Sequence, residues 1–188
     1  MAEYGTQEHL EHAEHAEHAA HSGTPFLLTV SVTIAILAVM AASVGSLETI
    51  ETSSTLGAQN AASLLQNKTS DKWAFFQAKS IKKSAYEIVA RQGGSMAEQF
   101  GREAERYDAE AKDIKTDAEK LEHEVEAKLH EAEHHEHRHH VLTTAVTLIH
   151  VAIAITTIAI VTKGHRWPWF SGLALAAMGV LLAGYAYL

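Results

Sequence analysis

The chain is expected to be an all-α integral membrane protein: three transmembrane helices, with a long extramembrane antiparallel helical hairpin, coiled-coil-like, between the first and second. Three observations predict this. Apolar residues gather in three blocks without a formal charge, starting near residues 26, 141 and 167. The polar section between the first two blocks repeats its apolar residues in alternating steps of four and three, the mark of helices that wind around each other. One glycine pair, Gly93-Gly94, is the only strong helix breaker in that section.

Residues 1–25 form a tail of His and Glu with five Glu and no Lys or Arg. The first block, 26–47, reads FLLTVSVTIAILAVMAASVGSL. It is long enough to cross a hydrocarbon core of roughly 30 Å at about 1.5 Å per residue. It lacks the basic flank and short apolar run of a secretory signal, so it reads as a retained anchor. Blocks 141–162 and 167–188 are the second and third spans, joined by Lys163-Gly164-His165-Arg166, which makes them antiparallel neighbours. Trp167 and Trp169 sit where indoles prefer the interface, and Tyr185 and Tyr187 mark the other face. Small residues (Ala38, Ala41, Ala42, Gly45 and Ser46 in the first span; Gly172, Ala176, Gly179 and Ala183 in the third) suit close helix packing.

The section 48–140 is the hairpin, with its tip at 93–95. Its second arm has a clean heptad seam of Phe100, Ala104, Tyr107, Ala111, Ile114, Ala118, Leu121 and Val125. On the first arm the same alternation runs through Ala74, Ala78, Ile81, Ala85 and Ile88, with Ala61, Leu64 and Leu65 extending it. Folding about the glycines pairs residues whose numbers sum to about 187, so Ala85 should meet Phe100 and Ile81 should meet Tyr107. Neither arm contains Pro, so each is expected to run unbroken into its span.

Asn67 to Ser84, NKTSDKWAFFQAKSIKKS, resembles an uncharacterised bacterial membrane family, that of the domain of unknown function DUF4337. The likeness rests on Trp73, Phe75, Phe76, Gln77, Ala78, Lys79, Ile81 and Lys82, set against a WxYYQAKSIK-like motif. It continues through the His-rich approach to the second span and the basic turn with its Trp pair, and leaves out the His/Glu tail. The resemblance implies fold and location, and no catalytic residue.

The composition excludes some functions. There is no Cys, so disulfides, thiolate metal sites and Cys nucleophiles are absent. The net charge of -8 lacks the clustered positive charge of a nucleic-acid footprint. No phosphate loop, HExxH or positioned Ser/His/Asp set is present, and the chain reads as a non-enzyme.

Four groups of residues remain as candidate sites. His9, His12, His15, His18 and His21 recur every third residue among Glu, a pattern that fits weak zinc, copper or nickel capture or a merely solvated tail. His130 with His134, and His135 with His139, are four residues apart on one helix face and make better chelating pairs. Against that stands an interfacial collar of His, Glu and Arg138. His150 lies near mid-span in a stripe with Thr143, Thr147, Ala154 and Thr157. Such a stripe normally faces protein, and it is either structural or part of a proton or ion path. Trp73, Phe75 and Phe76 are too close together for all three to enter a two-helix contact, so some must face a partner.

These features lead to three functional expectations. The first is a self-associating scaffold or accessory subunit, homo-oligomeric among membrane lipids and docking a membrane-complex partner through its hairpin. The second is a metal-handling membrane protein, and the third an oligomeric channel lined by the second span. The short basic turn points to the cytoplasm of a bacterial inner membrane, with the hairpin in the periplasm.

Overall fold

The computed structural model describes residues 25–162 and 165–188, so the His/Glu tail with its five regularly spaced histidines, and Lys163 and Gly164, lie outside the described residues. Among the described residues there are three helices and no strand: α1 Pro25–Arg91, α2 Ala97–Val161 and α3 Arg166–Tyr185. All three contain a stretch long and apolar enough to cross a membrane. Pro25 opens α1, and Pro168 falls in the first turn of α3; both are positions where a missing N–H leaves no helical bond unmade.

The chain divides into two compact units: the described residues up to Ser54 together with His134–Leu188, and Thr55–Glu133. Each is built on the same rule. On α1 the shielded positions recur in strict four-three alternation. They are Val30, Ile34, Leu37, Ala41, Val44, Glu48 and Glu51 in the first unit, then Thr55, Ala58, Ala62, Leu65, Thr69, Lys72, Phe76, Lys79, Lys83, Tyr86 and Ala90 in the second. On α2 the alternation runs from Phe100 to Val125 as the sequence predicts, and on through Ala132, Leu142, Ile149 and Ile153. A repeat of three and a half residues keeps one face of each helix on its neighbour only if the pair coils left-handedly.

In the three-helix unit, Val30, Ile34, Leu37 and Ala41 of α1 pack with Ile149, Ala152, Ile153 and Ala159 of α2 and Ala176 of α3. The small-residue expectation holds for α3, where Pro168, Gly172, Ala176 and Gly179 are buried. A Cβ on Gly172 would collide with Thr156 Oγ1 and lie 2.9 Å from the Ala152 carbonyl oxygen; one on Gly179 would lie 2.9 Å from the Ala145 carbonyl oxygen. On α1 the expectation fails in part: Ala41 is buried, but Ala42 is exposed and a Cβ on Gly45 would meet nothing within 4 Å. Hydroxyls in the apolar stretches are satisfied locally. Thr156 donates to the Ala152 carbonyl at 2.7 Å and Ser31 to that of Leu27 at 3.0 Å, so neither buried hydroxyl is left bare in its apolar setting. Trp169 Nε1 donates to Thr33 Oγ1 at 3.2 Å and its ring meets Phe26 edge-on, tying α3 to α1.

The Thr55–Glu133 unit is the hairpin, and it turns where expected: Gly93 and Gly94 adopt φ of 79° and 107°. One arm is in a different phase from the sequence-based one. Ala74, Ala78, Ile81, Ala85 and Ile88 are exposed, so the pairs Ala85–Phe100 and Ile81–Tyr107 do not form. Tyr86 stacks on both Phe100 and Tyr107, with ring centroids 5.9 and 5.5 Å apart. Beside it Lys72, Lys79 and Lys83 reach across to Asp117, Glu110 and Asp108. Lysine stems cover apolar surface while their ammonium groups meet acids at the rim. Asp108, bonded to Lys112 and Lys83, has its carboxyl held down to about 2, and Lys79 and Lys72 lower Glu110 and Asp117.

Two substitutions test this packing. Gly172→Ala drives a methyl into a backbone oxygen that cannot move aside and is expected to lower the melting temperature of the helices, whereas Gly45→Ala, in open space, leaves it unchanged; circular dichroism in detergent reads both. Gly94→Ala is expected to cost about 1–3 kcal/mol through backbone strain alone.

Candidate functional site

The densest set of ionisable contacts in the three-helix unit lies just beyond its apolar stretches. Glu51 of α1 is only 4 % exposed, because the heptad seam that buries Ile34 and Leu37 carries on through its position. A buried carboxylate is tolerable only when hydrogen-bonded and paired. His135 of α2 donates from Nδ1 to Glu51 Oε2 at 2.5 Å, and the Tyr187 hydroxyl, beyond the end of α3, donates to Oε1 at 3.0 Å. The Arg138 guanidinium stands 3.9 Å from the same oxygen and lies over the Tyr187 ring, 5.1 Å from its centroid. One carboxylate thus ties all three chain segments together. Desolvation pushes the Glu51 carboxyl up, but the hydrogen bonds from His135 and Tyr187 and the nearby charges of His135 and Arg138 outweigh it, and the group is held below its ordinary value.

One turn away, Glu48 accepts from the Thr143 hydroxyl at 2.7 Å. His139 Nδ1 lies 3.0 Å from Thr52 Oγ1 and 3.7 Å from Glu48 Oε1. The two histidines at 135 and 139 therefore point their Nδ1 atoms at α1. His130 and His134 are exposed. Among the described residues no three His, Cys, Asp or Glu side chains converge as a metal ion would require, so the four-residue spacing of these pairs does not by itself make a three-ligand site.

The other sequence-derived sites separate. Trp73 is half-buried, donates from Nε1 to Glu122 Oε1 at 2.8 Å, and meets Phe76 edge-on with centroids 5.4 Å apart; Phe75 is 62 % exposed. So one of the three aromatics faces outward. Along the polar stripe of α2, Thr143, Thr147, His150 and Ala154 are exposed in the single chain and Thr157 partly so, although Thr143 reaches Glu48 of α1. Thr147 donates to the Thr143 carbonyl at 2.8 Å. Glu51, Glu48 and Tyr187 were not singled out from the sequence, because the acids read as part of the hairpin and the tyrosine as an interface marker. Counting fours and threes onward from Ile34 and Leu37 reaches both acids.

The fold and this junction define a helical protein with, among the described residues, three helices long and apolar enough to cross a membrane, two of them long and packed against each other. The chain belongs to the family of Domain of unknown function (DUF4337), whose model it matches over residues 26–188. No curated protein and no solved structure matches it.

Because the Glu51 carboxyl is held below its ordinary value, the stability it contributes is present above about pH 4.5, the usual value for the unfolded chain, and is lost as pH falls through the lowered folded value. Glu51→Gln is expected to lower stability at pH 7 by about 1.5–3 kcal/mol, the worth of hydrogen bonds to a charged group, and to remove this site's share of the acid sensitivity. Thermal unfolding of both proteins between pH 3 and 7 checks it; parallel pH profiles would assign the acid sensitivity elsewhere.

Proposed function

We propose that the protein is a non-enzymatic membrane scaffold or accessory subunit that self-associates in a bacterial inner membrane and docks partners through its hairpin. The carrying observation is the exposed stripe of Thr147, His150 and Ala154 on α2. Ionisable and polar side chains within a span face a bundle interior or a wet cavity, because exposing polar surface to hydrocarbon is costly. A neighbouring copy supplies that cover, and interhelical hydrogen bonds of this kind contribute roughly 0.6–1.7 kcal/mol each. The tie of Glu51 to His135, Arg138 and Tyr187 supports a structural use for the most buried ionisable group rather than a catalytic one. The basic turn around Arg166 supports an orientation with that turn in the cytoplasm and the hairpin in the periplasm.

The same stripe favours a second reading, a channel whose oligomer turns Thr143, Thr147 and His150 to its axis. Metal handling would need the His130–His134 and His135–His139 pairs to be completed by ligands from elsewhere.

In mild detergent or lipid nanodiscs the protein is expected to run as an oligomer, and His150→Leu combined with Thr147→Val to weaken it by about tenfold, equivalent to two such hydrogen bonds. The sign decides: if the stripe faces lipid, the apolar pair of residues leaves assembly unchanged. A wild-type monomer overturns the reading outright. Conductance in planar bilayers that changes with His150→Ala would favour the channel.

A further inference from the structure

In the Thr55–Glu133 unit α1 carries two heptad stripes, and the chain itself uses one. Phe76, Lys79, Lys83 and Tyr86 face α2. Ala74, Ala78, Ile81, Ala85 and Ile88 follow the same four-three alternation two residues out of phase, which at 100° per residue is the opposite side of the helix. Ile81 is 69 % and Ile88 59 % exposed, and Phe75 and Val89 beside them are exposed as well. Isoleucines at heptad spacing are wasted on water, while the stripe turned inward holds three lysines.

We propose that the Ala74–Ile88 stripe is a coiled-coil interface with a second copy of this chain, the two α1 segments lying parallel and in register. This rests on the self-associating membrane reading. The alternating spacing specifies a helix as the occupant, since only a coiled helix meets positions recurring every three and a half residues. Two copies inserted in one membrane share their sense of insertion, so like helices meet in parallel, and in a parallel in-register pair every core residue meets its own counterpart. Ala74, Ile81 and Ile88 then fill one core position and Ala78 and Ala85 the other, a small-large alternation that allows close approach. The flanks are compatible with this register. Ser70 of one copy meets Phe75 of the other, Gln77 meets Lys82, and Ser84 meets Val89, so none of these flanking pairs opposes like charges. The stripe is bounded on one side by Asp71, whose carboxylate would face its own counterpart, and on the other by the glycine turn. A seam this short is marginal for two free peptides, and anchoring both copies in one membrane raises their effective concentration.

Because the chain has no cysteine, single cysteines report the contact cleanly in the full-length protein. Ile81→Cys and Ile88→Cys, oxidised in native membranes, are expected to yield a disulfide dimer several-fold more abundant than Asp113→Cys, which is exposed on α2. A disulfide needs Cβ atoms within about 3.5–4.5 Å, so it reports register as well as proximity. Ile81→Lys with Ile88→Lys, at positions already exposed to water, is expected to keep wild-type helicity and lose most of the hairpin-mediated association. No crosslink at Ile81 and Ile88 from a protein that still runs as an oligomer overturns this interface and leaves self-association standing. A wild-type monomer sinks both, and equal crosslinking at Asp113 marks random collision and overturns the interface.

Discussion

The structure depends on an unbroken phase. Along α1 the residues turned toward neighbouring helices recur in fours and threes from Val30 to Ala90, and along α2 from Phe100 to Ile153, with no proline or inserted residue to reset the count. A helix cannot change its inward face without a stutter, so each residue on the phase has to serve as lining whatever its chemistry. The apolar stretches meet that demand with Val, Ile, Leu and Ala. Farther along, the same positions fall on Glu48, Glu51, Thr55 and Thr69, then on three lysines, and the protein answers with partners: His135, Tyr187 and Arg138 around Glu51, and Asp108, Glu110 and Asp117 around the lysines.

The same constraint explains what could be read from the sequence. The helical class, the three apolar stretches and the turn at Gly93-Gly94 follow from composition and from two residues with positive φ. The α2 seam was legible because its apolar residues and its inward phase coincide. On α1 they part company after Ala62. Hydrophobicity there marks Ile81 and Ile88, while geometry, carried forward from Ile34 and Leu37, marks Lys79 and Lys83. Reading apolar residues as inward therefore chose the wrong stripe. Continuity of phase was the better guide.

The junction around Glu51 was less legible still, since it is assembled from residues 84 and 136 positions away in the chain. Nothing in the local sequence of Glu51 announces Tyr187. What the sequence did contain was a carboxylate placed on an inward phase, and a buried acid in such a place must recruit donors from any segment that can reach it. Likewise His150 was legible as unusual, but its direction was not, because a stripe of Thr and His defines a face without saying who covers it.

The contrast between the two α1 stripes of the hairpin has a consequence for solution conditions. Pairs such as Lys72 with Asp117 are partly exposed, and at physiological ionic strength charges interact over only about 8 Å before mobile ions mask them. Contacts among isoleucines are indifferent to such masking and strengthen when excluded salts such as sulfate are added. Added salt therefore acts on the lysine–carboxylate rim of the hairpin, whereas an excluded salt such as sulfate favours apolar contact alike in the Tyr86 stack and along Ile81 and Ile88, so the identity of the anion matters as much as its amount.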